Sequence, residues 1–141
     1  MKTILLTAFF LACTLQGMKA QHIHKMESNQ KDKIAITEAL EQFYFEGIYE
    51  GNLDLLNQVY NTGTLLFGDV KGQPYAKTLE QYLDGVKNRQ SPKDSGKPFK
   101  GEIISISLVN SIAVAEVKVK MYDFNYHEFL SSLRLMAGGL S

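Results

Sequence analysis

Residues 99–121 read FKGEIISISLVNSIAVAEVKVKM, and here the apolar period of the chain changes from helical to two. Ile104, Ile106 and Leu108 share one face, with Ser105 and Ser107 on the other. Ala113, Ala115, Val117, Val119 and Met121 then alternate with Glu116, Lys118 and Lys120. Asn110-Ser111 between the two runs is a tight-turn signal, so the stretch predicts an antiparallel hairpin with one buried and one wet face. After DFN at 123–125, Phe129, Leu133 and Leu135 alternate with Glu128, Ser132 and Arg134. The alternation predicts a third strand over 126–135, completing a meander.

Upstream the pattern is helical. In IAITEALEQFYFEGIYEG, Ile36, Leu40, Phe43 and Gly47 recur at spacings of four, three and four, away from Glu38, Glu41 and Glu46. Gly51 is a stop signal, and Asn52 an N-cap for a short helix, LDLLNQVY. TLLFGDV and QPYA around KG predict a hairpin. Thr78 and Gln81 form a capping box for LEQYLDGVKNR, whose stripe is Leu79, Leu83 and Val86. Pro92 bars continuation into the loop SPKDSGKP. Helices followed by long strands predict an α+β fold with three helices on one side of an antiparallel sheet.

The N-terminus has another character. Lys2, an apolar run from Ile4 to Leu15 and a polar stretch ending at Ala20 have the layout of a secretory signal peptide. The run is too short to span a membrane as a helix. FLAC at 10–13 also resembles a lipobox; a lipid on Cys13 is the one route to membrane attachment, and plain cleavage after Ala20 is preferred. The expected organisation is a signal peptide over 1–20, a polar lead-in over 21–33, the folded domain over 34–135 and a tail over 136–141. The full chain has 15 basic and 15 acidic residues; losing Lys2 and Lys19 leaves 13 against 15, a net charge of −2 that argues against nucleic acid. The mature chain also lacks cysteine, which excludes disulfides and thiolate chemistry.

ALEQFYFEGIYEGNLDLLNQVY, TLLFGDVKGQPYAKTLEQYLDGV, GKPFKGEIISISLVNSIAVAEVKV and YHEFLSSLRL together resemble the nuclear transport factor 2-like superfamily. Within it, they are similar to the SnoaL-like and lumazine-binding-type bacterial proteins. The resemblance implies a cone of three helices packed into a curved sheet, with a pocket between the helices and the concave face. Two departures stand out. YNTGT at 60–64 replaces a His-Pro-Asp-like triplet, so no role of that triplet carries over. MAGGLS at 136–141 stands where relatives have a last strand, so the expected sheet lacks its final strand, with edges open at 64–69 and 126–135.

Ketosteroid isomerase and the polyketide cyclases, which share this superfamily, use the pocket for acid–base chemistry. Phase with the expected buried faces makes Asp69, Asp123 and His127 the candidate bases. It makes Tyr44, Phe67, Tyr82, Met121 and Phe129 the candidate pocket lining. The plainer reading weighs more: Asp69, Asp123 and His127 satisfy backbone at strand ends and turns, and the aromatics fill the core. His22 and His24 have period two but too few companions for a metal site. No cofactor is expected. The expected partners are a small apolar or aromatic ligand and a second copy of the chain, paired through the sheet. An acid–base enzyme and an inert remnant are the alternatives.

Overall fold

The computed structural model describes residues 25–70 and 73–133, with only the backbone of Asp69, Val70, Ser132 and Leu133. The expected signal peptide with Cys13, His22 and His24, the turn at 71–72, Leu135 and the tail 136–141 lie outside the described residues. The chain divides into two units, one ending at Ile34 and one running from Ala35. In the first, residues 25–34 are helical where the sequence predicts a lead-in. Lys25, Met26, Glu27, Gln30 and Lys31 are good helix formers, and propensity outweighs the missing apolar period.

The second unit opens with α1, residues 35–50, whose middle turn Leu40–Phe45 is a π-helix and whose last turn Glu46–Glu50 is α-helical. The π turn takes up an extra residue and shifts the phase of the stripe. Leu40, Tyr44, Phe45, Gly47 and Ile48 are buried, while Phe43, expected to lead into the core, is half-buried. Gly51 ends the helix at φ +69°, and its N–H donates to the carbonyls of Gly47 and Ile48. Helix α2 is Leu53–Val59; the Oδ1 of Asn52 accepts from the N–H of Asp54 at 3.0 Å and of Leu55 at 3.3 Å, the expected cap. Helix α3, Leu79–Lys87, starts at the expected Thr78–Gln81 box, both halves of which form. Pro92 does not lead into a plain loop. It is the first residue of a one-turn helix α4, Pro92–Ser95, capped by Ser91.

Strands β1 (Leu65–Val70) and β2 (Gln73–Thr78) pair antiparallel as one sheet. Strands β3 (Phe99–Val109), β4 (Ile112–Met121) and β5 (Phe124–Leu133) form a second, in the order β3-β4-β5. Asn110-Ser111 makes the first hairpin turn, with Asn110 at φ +53°. The second turn is Tyr122-Asp123, not DFN, because Met121 pairs with Phe124. On β4 the expected face is the buried one, from Ala113 to Met121. On β3 a bulge at Ile104 interrupts the alternation. Ile103 and Ile106 pack inward, and Ile104 turns outward.

Leu40, Tyr44, Ile48, Leu56 and Val86 from the helices meet Ala115, Val117, Val119 and Met121 of β4 in one core. Gly101 shows how closely α1 lies on the meander. A Cβ there would stand 2.4 Å from the Phe45 ring, so only glycine leaves room for that ring on β3. Gly101→Ala is expected to lower the unfolding free energy by ~1–3 kcal/mol through overpacking, measured by urea denaturation. Phe45→Leu in the same chain should recover part of the loss. Full stability of Gly101→Ala would show that the ring does not pack there.

Candidate functional site

Six polar side chains converge between the helices and the inner face of the meander. The π turn of α1 carries Tyr44 wholly inside, at 0% exposure. Tyr60 closes the C-terminus of α2, and Tyr82 lies on the core side of α3. On β5 the faces follow from the two-residue turn. Tyr126 stands opposite Val119, Glu128 opposite Val117 and Leu130 opposite Ala115, and residues directly opposite in an antiparallel pair share a face. Val119, Val117 and Ala115 are buried, so Tyr126, Glu128 and Leu130 point inward. There the Tyr44 hydroxyl donates a hydrogen bond to Glu128 Oε2, tying α1 to β5. The rings form an edge-to-face series: Tyr44 and Tyr60 have centroids 6.4 Å apart at 74°, and Tyr60 and Tyr82 5.7 Å apart at 69°. Arg89, just beyond α3, is the sixth.

Burial sets the electrostatics. It raises the Glu128 pKa, and the hydrogen bond from Tyr44 pulls the other way without cancelling it. Burial, followed by the Glu128 charge, pushes Tyr44 well above the ordinary tyrosine value. Tyr60 and Tyr126 are raised mainly by burial as well. Tyr82 is pushed up to about 12 by burial and the Glu128 charge, against the opposing charge of Arg89. All four phenols are therefore neutral donors at physiological pH. Two sets of atoms stand out: among the described residues, Tyr60 Oη, and Nε and Nη2 of Arg89, are buried without a hydrogen-bond partner. The arrangement offers donors and one carboxylate in aromatic walls, which suits binding a flat molecule with polar edges.

The structure redistributes the candidates from sequence. Tyr44 and Tyr82 belong to the cluster, and Met121 is core at 2% exposure. Phe67 and Phe129 line no pocket; they are on outer faces, 74% and 70% exposed. His127 shares the outer face with Phe129, its Nε2 3.5 Å from Glu116 Oε1. The expected parity of β5 is inverted because its turn comes one residue earlier than DFN implies. Asp123 is in that turn, exposed, and paired with Lys97 at 3.2 Å. Asp69, on β1, pairs with Pro74 of β2; its side chain lies outside the described set. Tyr60, Arg89, Tyr126 and Glu128 were not expected. A turn at Tyr122-Asp123 is the signal from which Tyr126 and Glu128 follow.

Helices laid on an antiparallel meander around such an interior have the fold of nuclear transport factor 2-like proteins. Two solved structures of that class share the fold at a TM-score of 0.64, both described as proteins of unknown function. The one from Shewanella baltica is 22% identical, covering 74% of this chain and 83% of its own. The one from Silicibacter pomeroyi is 19% identical, covering 78% and 89%. Within the class, residues 31–137 match the family described as "Putative lumazine-binding", and the chain belongs to that family. No functionally curated protein matches it.

Because Glu128 holds its proton more tightly folded than unfolded, its contribution to stability is full below the ordinary value of 4.5. It is lost as pH rises through the raised value. Glu128→Gln should remove that loss. Its stability relative to the parent, from urea denaturation, is expected to rise between pH 4 and pH 7. A constant difference would mean that Glu128 titrates normally. At alkaline pH the sign is the same: the four raised tyrosines favour the unfolded chain above the ordinary value of 10.0. The phenolate absorbance of these residues should therefore develop together with unfolding, as followed by circular dichroism across an alkaline titration.

Proposed function

We propose that this chain binds a small, flat, largely apolar molecule between its helices and the meander, and that binding rather than catalysis is its task. The observation that carries this reading is the buried Tyr44–Glu128 hydrogen bond, flanked by Tyr60, Tyr82 and Tyr126. It holds a carboxylate in an aromatic interior whose other hydroxyls face the same space. The apolar run at 4–15 supports action outside the cytoplasm. The family description supports a ligand-binding domain.

The second reading, an acid–base enzyme, is favoured by the raised pKa of Glu128. In that case Glu128 is the base and the unpartnered Tyr60 hydroxyl polarises a substrate carbonyl. The Tyr44 hydroxyl already donates to Glu128, which leaves it no free proton for an oxyanion. That geometry weighs toward binding.

Naphthamide, a neutral bicyclic amide, is a direct probe, and the chain has no tryptophan to obscure its fluorescence. Binding is expected, and Tyr60→Phe should weaken it by roughly 3- to 10-fold, one hydrogen bond's worth. The same substitution should leave the free protein as stable or slightly more so, since it removes an unsatisfied buried hydroxyl. Absence of binding, or equal affinity in Tyr60→Phe, overturns the reading.

We also propose that two copies pair through the outer face of the meander. Val109, Ile112 and Phe129 are exposed on that face, at 63%, 48% and 70%. Sedimentation should show a dimer that Phe129→Lys dissociates; a monomeric parent removes the proposal.

A further inference from the structure

Arg89 is placed by its neighbours, while the inner edge of its own guanidinium meets no acceptor. Tyr82 and Val86 stand on the core side of α3, and Arg89 follows two residues beyond its last residue, Lys87. On one side, the N–H of Asn88 donates to the Asp84 carbonyl at 3.0 Å, and its amide to Asp84 Oδ1 at 2.9 Å. On the other, the Gln90 carbonyl accepts from the Tyr122 hydroxyl of the β4–β5 turn. Ser91, 5% exposed, caps α4 by accepting from the N–H of Asp94 at 3.1 Å. The loop therefore holds Arg89 from both flanks.

The side chain itself is half-buried, and its Nε and Nη2 are fully buried without a hydrogen-bond partner. An arginine retains its charge under all ordinary conditions, and a buried charged donor without an acceptor is costly. Nε and Nη2 form one straight edge of the guanidinium, two parallel N–H groups at the spacing of the two oxygens of a carboxylate. The Arg89 charge acts on Tyr82 and Tyr126, so the guanidinium lies near those two tyrosines. Among the described residues no ion pair joins it to Glu128, whose Oε2 accepts from Tyr44.

We infer that the ligand is an aromatic carboxylic acid. Its carboxylate lies side-on against Nε and Nη2 of Arg89, and its ring is held by Tyr60, Tyr82 and Tyr126. A planar carboxylate matches the two-donor edge. The inference rests on the binding reading above and narrows it to one chemical class.

Naphthoate and naphthamide differ only in the carboxylate, so together they separate the two readings. By calorimetry on the intact chain, naphthoate is expected to bind more tightly than naphthamide. Arg89→Gln should weaken naphthoate by roughly 10- to 100-fold, the range for a charged hydrogen-bonded pair, and leave naphthamide within about 3-fold. Arg89→Lys keeps the charge but not the edge, and should restore only part of the naphthoate affinity. Thermal melting of both variants controls for folding; if both fail to fold, the parent's preference for naphthoate over naphthamide decides. Naphthamide bound as tightly as naphthoate, or both weakened equally by Arg89→Gln, overturns the carboxylate assignment and leaves the pocket standing. Failure of both probes to bind the parent overturns the assignment and the pocket together.

Discussion

One hydrogen bond, from the Tyr44 hydroxyl to Glu128, sets the terms for the interior of this protein. The π turn at Leu40–Phe45 carries both Tyr44 and Phe45 inside. Phe45 then packs on Gly101 of β3, and Tyr44 reaches β5. A buried carboxylate without a donor is expensive. The site is therefore stable only while α1 and β5 keep this relation, and both Gly101 and the β4–β5 turn serve it.

Around that bond the site combines satisfied and unsatisfied groups. The satisfied ones, Tyr44 with Glu128 and the edge-to-face tyrosines, rigidify it. The unsatisfied ones, Tyr60 Oη and the Arg89 edge, are donors that a ligand can engage without displacing any internal partner. Polar groups of this kind persist in folded proteins where they have a task beyond stability. The two solved structures supply the fold, and the family description supplies the expectation of a ligand. The chemistry proposed for that ligand comes from this chain's own side chains.

Much of the architecture was legible in local pattern. The caps at Asn52 and Thr78, the α3 stripe and the alternating face of β4 all appear where the sequence places them. Each depends on residues a few positions apart, and short-range geometry decides them. The site was legible only in part. Tyr44 and Tyr82 could be read from helical position, but His127, Phe129 and Phe67 were assigned to the wrong face. The stretch YHEFL has apolar or aromatic residues at both parities, so alternation alone does not orient it.

The sequence by itself determined the class of fold, the starts of α2 and α3 and the core strand, because period, capping and turn chemistry act locally. Tertiary structure decided which residues meet. The π turn shifted the phase of α1, the bulge at Ile104 reversed part of β3, and the Tyr122-Asp123 turn chose the inner face of β5. Each displaces the pattern by a single residue, and one residue is enough to exchange inside for outside on a strand. Arg89 and Tyr60 became candidates only when folding buried their polar atoms without partners, a property that no single stretch of chain possesses.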